Sequence, residues 1–253
     1  MTGDRGTERR GRLRVGTSGW QYRHWKNVFY PAELPVARWF PHYATHFDTV
    51  EVNNTFYHLP APAVFEGWRA RAPEDFCYAL KYSRYATHMK RLLDPEEPLT
   101  RFLDGARRLG PRLGPILVQL PPRFHVNVER LDAFLALAPG DLRWAVEFRD
   151  PSWLVPEVYA VLRRHGAALC VHDLLPDHPR ERTAGWTYLR FHGVQYGGSY
   201  ADADLRAEAA RIARGRAEGI DVYAYFNNDI GGHAIKNALT LRTYAESMRT
   251  YAE

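Results

Sequence analysis

Short apolar runs rich in β-branched and aromatic residues recur along the chain, and each gives way to polar residues at its C-terminal end. Eight occur in order: LRVGTS at 13–18, FDTVEVN at 47–53, FCYALKY at 76–82, PILVQL at 115–120, RWAVEF at 143–148, AALCVH at 167–172, WTYLRFH at 186–192 and IDVYAYFN at 220–227. Between most of them the apolar spacing turns helical. Leu131, Phe134, Leu135 and Ala138 fall at i, i+3, i+4 and i+7, as do Val155, Val158, Tyr159 and Leu162. Ala234, Ala238, Leu241, Ala245 and Met248 form a third stripe. Strands alternating with amphipathic helices predict right-handed crossovers and a parallel sheet. Asn127 is placed to cap the start of one helix and Gly166 the end of another.

Eight strands in 253 residues favour a single (β/α)8 TIM-type barrel over an open doubly wound sheet, because closure removes both sheet edges. The barrel domain is expected to occupy residues 13–253, with residues 1–12 a disordered basic tail. Two irregularities are expected. The link DLLPDHPRERTAG at 173–185 is too short and too rich in Pro and Gly for a proper helix, so the helix between the sixth and seventh strands should be degenerate or missing. Pro41 should kink the first helix or delay its start.

Composition narrows the class. The chain has no apolar run approaching the roughly 20 residues that span a bilayer, and its first twelve residues lack the apolar core of a secretory signal. A cytoplasmic protein with no membrane partner is expected. Cys77 and Cys170 both sit inside apolar runs, which suggests buried free thiols in a reducing compartment. The formal charge is +5, and only four of the 34 basic residues are lysine. No long basic block accompanies that excess, so charge alone does not identify a nucleic-acid binder.

Barrel enzymes assemble their sites at the C-terminal ends of the strands. Here those ends carry the unusual residues. Side chains two apart share a face of a strand, which pairs Glu51 with Asn53, Glu147 with Arg149, Arg190 with His192 and Tyr225 with Asn227. Lys81 and Gln119 stand near the ends of their own strands. The result is an expected ring of Glu51, Lys81, Glu147, Arg149, Arg190 and His192, with Asp173 and Asp229 on loops just beyond. Such a ring can be catalytic, or it can be a salt-bridge network that only holds strands together.

The motifs GTSGWQYRHW, FDTVEVNNTFYHLP, FCYALKYSRYATH, GPILVQLPPRF, WAVEFRDPSW, YLRFHG and YAYFNND, in that order, resemble the YecE-like family (domain of unknown function 72). The resemblance covers about residues 13–245. It implies a TIM-type barrel and brings no established activity with it.

Three readings of the ring are open. In the first, an enzyme of hydrolase or lyase class acts on a small phosphorylated or nucleic-acid substrate. Arg149 and Arg190 would clamp a phosphate, Glu51 or Glu147 would be the base, and His192 the acid or base. Trp20, Tyr22, Tyr57, Trp153 and Tyr196 would stack on bases or sugars, unless they simply pack the barrel rim. Asn53, His88, Gln119, Asn227, Asn228 and Asp229 would supply polar contacts to the same substrate. In the second, Glu51 and Glu147 serve a metal-free carbohydrate or small-metabolite enzyme. Lys81 could form a Schiff base if burial depressed its pKa, but with Glu51 nearby it is expected to be a charged ion-pair partner. In the third, the same residues bind nucleic acid or another polyanion without turnover. No metal or cofactor is expected: parity sets His172 and Asp173 on opposite faces, and no compact metal motif occurs. Oligomeric state is not encoded in any of these features.

Overall fold

Eight parallel strands lie side by side in the order β1-β8-β7-β6-β5-β4-β3-β2. They are β1 (Leu13–Thr17), β2 (Thr49–Val52), β3 (Cys77–Lys81), β4 (Leu113–Gln119), β5 (Trp144–Glu147), β6 (Ala168–His172), β7 (Trp186–Phe191) and β8 (Asp221–Phe226). In this computed structural model residues 9–193 and 197–248 are described. All eight strands coincide with the apolar runs of the sequence, and the fold is an α/β TIM-type barrel, nearly closed.

Helices α1 (Trp39–His46), α2 (Asn54–Tyr57), α3 (Pro62–Arg71), α4 (Glu96–Ala106), α5 (Val128–Leu137), α6 (Pro156–Arg164), α7 (Asp202–Ala217) and α8 (His233–Ser247) run between the strands and after the last. The Asn127 side chain accepts from the Arg130 N–H at the start of α5, and Gly166 takes the left-handed conformation after α6. Pro41 lies in the first turn of α1, where a missing N–H costs no hydrogen bond, so the helix starts late instead of bending. No helix joins β6 to β7. An extended segment covers that side, with the Thr183 hydroxyl accepting from Leu169 N–H and donating to the Ala167 carbonyl at 2.8 Å each.

Two separate cores follow from the alternation of strand side chains. The outer one lies between strands and helices and includes Val15, Val50, Leu80, Val118, Val146 and Leu162. The inner one fills the barrel with Ala79, Leu117, Ala145, Cys170, Tyr188 and Tyr225. Both cysteines are free and buried, as expected. Small residues on β3, β5 and β6 face tyrosines on β7 and β8, which fills the interior without a channel.

The barrel has a seam. β1 and β2 share no backbone ladder, and β1 pairs with β8 alone. The Tyr43 hydroxyl spans the gap instead, accepting from Thr17 N–H at 3.1 Å and donating to the Thr49 carbonyl at 3.0 Å. Below it, Arg14 reaches the Asp48 carbonyl at 3.0 Å and its carboxylate at 2.5 Å. Gly16 permits the close approach, because a Cβ there would sit 2.4 Å from the Thr49 carbonyl oxygen.

Residues 9–12 of the segment expected to be a tail are among the described residues. Arg9 to Arg12 lie against the N-terminal end of the barrel, where Arg12 N–H and Arg9 both donate to Asp221 and Gly11 N–H bonds the Arg216 carbonyl at 2.7 Å. Asp221 also takes Arg143 at 2.8 Å.

Candidate functional site

The strand register sets the mouth residues level with one another. Gln119 lies opposite Glu147, and His172 opposite Arg190. Beneath the mouth the charged side chains join one hydrogen-bonded chain. Tyr188 donates to Glu51 Oε2 at 2.7 Å. Arg190 donates through Nη2 to Glu51 Oε1 at 2.7 Å and through Nη1 to Glu147 Oε2 at 2.6 Å. Glu147 Oε1 accepts from Arg149 Nε. Arg149 Nη2 in turn reaches His192 Nε2 at 3.2 Å.

That last contact fixes a tautomer. A guanidinium only donates, so His192 Nε2 must accept and the proton sits on Nδ1. Nδ1 then donates to Asp173 Oδ1 at 3.1 Å. Asp173 also receives the His192 backbone N–H at 2.9 Å and the Tyr200 hydroxyl. Burial drives His192 down to about 4, the Asp173 hydrogen bond opposes this, and Arg190 adds to the depression. The imidazole is therefore neutral at pH 7.

The two glutamates are fully buried and Arg190 is 1% exposed. Burial alone would raise the Glu51 and Glu147 carboxyls, but the Arg190 charge holds both below the ordinary value. Arg190 is correspondingly held above its own ordinary value by the same two carboxylates, against its burial. This part of the expected ring is an ion network, and neither glutamate lines the cavity above it.

Above it opens a cavity of about 470 Å³ lined by Tyr22, Asn53, Phe56, Tyr57, Lys81, Arg84, His88, Gln119, Arg149, Arg190, Asn227 and Asp229. Ten of the expected site residues line it: Tyr22, Asn53, Tyr57, Lys81, His88, Gln119, Arg149, Arg190, Asn227 and Asp229. Burial raises the Asp229 carboxyl.

Lys81 departs from the sequence expectation. Among the described residues it makes no salt bridge, because Arg190 has taken both nearby glutamates. Its Nζ lies 4.0 Å from the centroid of the Phe56 ring. Burial, then the charge of Arg190, lowers the amine to about 7 despite the pull of Glu147 and Glu51.

Other expectations are placed differently. Trp153 is fully buried, stacked on Phe148 and bonded through Nε1 to the Phe124 carbonyl at 2.5 Å, so it packs the core. Trp20 is buried against Phe40 and Trp68 and does not line the cavity. Asn228 spends its amide on the Gly198 carbonyl at 2.8 Å and Asn237 at 3.0 Å, which pins the loop after β7. Asp173 and His192 lie behind Arg149 and position it. Tyr196 lies outside the described residues. His172 donates to the Phe148 carbonyl and accepts from Leu174 N–H, leaving neither nitrogen for a metal. Among the described residues no group of three or more His, Cys, Asp or Glu is arranged to hold a metal ion.

Four participants were missed: Phe56, Arg84, Tyr188 and Tyr200. Tyr188 was legible, since it lies two residues before Arg190 on the same face of β7. Phe56 lies in the short helix α2 and Arg84 caps a helical turn after β3, where strand parity says nothing.

Comparison with known proteins agrees with this architecture. The family described as "Protein of unknown function DUF72" matches residues 14–252. The UPF0759 protein YecE of Escherichia coli is 36% identical over 112 residues, 44% of this chain and 41% of that protein. The matched stretch thus spans about two-fifths of that relative's length. UPF0759 protein YunF of Bacillus subtilis is 25% identical over 88% of this chain and 91% of its own. A solved DUF72 family protein from Thermotoga maritima superposes with a TM-score of 0.81 at 29% identity, over 93% of this chain and 99% of that one. A second, from Enterococcus faecalis, has the same fold at 20% identity, with a TM-score of 0.79 over 94% of this chain and 96% of that one. With a family match from Arg14 almost to the last residue, and the same barrel in solved relatives, this chain belongs to the DUF72 family.

Proposed function

We propose that the barrel mouth is the active site of an enzyme acting on a small phosphorylated substrate. One observation carries the reading: the cavity wall is cationic while the acids lie behind it. Lys81, Arg84, Arg149 and Arg190 line the cavity, and Asp229 is the one carboxylate that does so among the described residues. Glu51 and Glu147 are consumed in holding Arg190. After both Nη groups are committed, the buried Nε–H of Arg190 has no acceptor among the described residues. A buried donor left without a partner is uncommon and favours a ligand that accepts from it. Planar guanidinium donors suit phosphate oxygens.

A cavity of about 470 Å³ suits a small molecule better than a nucleic-acid strand, which would need an extended basic track. The carbohydrate reading built on Glu51 and Glu147 is weakened, since both carboxylates are fully buried and paired.

Calorimetric titration with inorganic phosphate tests this. Wild-type protein is expected to bind at millimolar or tighter affinity. Arg84→Ala, on the exposed rim, is expected to weaken binding roughly three- to tenfold at low salt and leave folding intact. No phosphate-dependent heat at up to roughly 10 mM overturns the proposal.

A further inference from the structure

We propose that Lys81 is the nucleophile of this site and that the substrate carries an aldehyde or ketone, which Lys81 captures as an imine. The proposal deepens the reading of the mouth as a phosphate site and rests on it for the phosphorylated part of the substrate.

The geometry is specific. The amine stands at the end of β3 with its stem buried and its head in the cavity, and among the described residues it has no hydrogen bond and no ion pair. The charged groups around it are Glu51 from β2, Glu147 and Arg149 from the end of β5, and Arg190 from β7. The network gives both glutamates to the arginines, so the lysine is left facing cations on one side and the Phe56 ring on the other. A buried ammonium without a carboxylate is a poor structural element. The same surroundings keep a large share of the amine neutral near pH 7, which is the form that attacks a carbonyl.

Two groups in the same cavity suit the proton transfers. Thr87 Oγ1 donates to the Ser83 carbonyl at 2.9 Å and so accepts from His88 Nδ1, also at 2.9 Å. His88 Nε2 therefore keeps its lone pair. Burial, with the Lys81 and Arg84 charges added, lowers this imidazole to about 4, so it is a neutral acceptor at pH 7. Asp229, whose carboxyl is raised by burial, lines the same cavity.

The step balances without an added oxidant or reductant. The Lys81 nitrogen lone pair attacks the carbonyl carbon, and the carbonyl π pair moves to oxygen, which takes a proton. The nitrogen gives one proton to a base, forming the carbinolamine. Protonation of its hydroxyl expels water as the nitrogen pair closes the C=N bond. In sum, amine, carbonyl compound and one proton give a protonated imine and one water. The cation so formed next to a bound phosphate acts as an electron sink for bond cleavage or proton loss at the adjacent carbon.

The test is borohydride reduction of the full chain with glyceraldehyde 3-phosphate, and separately with glyceraldehyde, followed by peptide mass mapping. The chain offers four lysines for comparison, Lys26, Lys81, Lys90 and Lys236, besides the terminal amine. The expected result is a phosphorylated-probe adduct at Lys81 at least tenfold above that at the other three. Its yield rises with pH through about 7, and inorganic phosphate suppresses it. In Lys81→Met, with its fold verified by circular dichroism, the adduct is lost. Equal labelling of all four lysines, or no reduced adduct on Lys81 with either probe, overturns the proposal. Phosphate binding without an adduct sinks the imine and leaves the anion site standing. Equal labelling of Lys81 by both probes, with no protection by phosphate, keeps the imine and sinks the anion site.

Discussion

Lys81 occupies a position that costs the fold stability. Its amine is held near 7 in the folded protein against an ordinary value of 10.5. Above pH 10.5 the amine is neutral in both folded and unfolded chains, and the position costs nothing. As pH falls from 10.5 to 7 the unfolded chain takes the proton first, and the native state loses stability by about 1.4 kcal/mol per unit of depression. Below 7 the penalty is complete and constant. Lys81→Met is therefore expected to raise the melting temperature at pH 6, by several degrees, and the gain should shrink toward pH 10. Thermal denaturation at the two pH values measures this. A gain at neutral pH that removes binding or labelling would be the trade expected of a residue kept for function.

Among elements, the seam between β1 and β2 is the place where one side chain replaces a ladder. Tyr43 comes from α1 and bonds both strands at once. Tyr43→Phe keeps the ring packed on Phe47 and strands Thr17 N–H and the Thr49 carbonyl without partners. A loss of about 1–3 kcal/mol is expected. Hydrogen exchange should show Thr17 and its β1 neighbours opening faster, with β4 and β5 unchanged; uniform acceleration across the barrel would contradict the seam. Elements were the most legible level in the sequence. Each strand begins and ends near its apolar run, and the Pro-rich link at 173–185 announced its missing helix. The seam was not legible, because ladder pairing depends on how two strands splay in space, and Gly16 in a strand reads only as a weak position.

At the scale of the whole molecule, the charge network ties β2, β5 and β7 together across the barrel. Glu147→Gln leaves Arg190 and Arg149 short of a counter-charge in a buried site, and a loss of about 3–5 kcal/mol is expected in urea denaturation. Replacing Glu51, Glu147 and Arg190 together by Gln, Gln and Met should recover part of that loss, since the fully buried Arg190 charge goes with its two partners and only the partly exposed Arg149 loses its carboxylate. Both glutamates are held below the ordinary carboxylate value. Their stabilisation is therefore complete above about pH 4.5 and is lost as pH falls through the folded values. The triple variant should show a flatter acid limb than the wild type. Strand parity found the members of this network but not their allegiances. Glu51, Glu147, Arg190 and Lys81 look alike as polar residues at strand ends. Which cation takes the carboxylates is decided by reach and fork geometry, and the two-armed Arg190 bridges both acids where the single-headed Lys81 cannot.

The chain of contacts from Tyr200 to Tyr188 also bears on how tightly the mouth can hold anything. A free arginine has many rotamers, and freezing one on binding typically costs about 0.5–1.5 kcal/mol. Arg149 and Arg190 are already immobilised by Glu147, His192 and Glu51. Their donors are aimed before a ligand arrives, so ligand entry loses little side-chain freedom at these two positions. If the mouth binds the proposed phosphorylated substrate, the same bracing makes it a preset mould, with selectivity written into its resting shape.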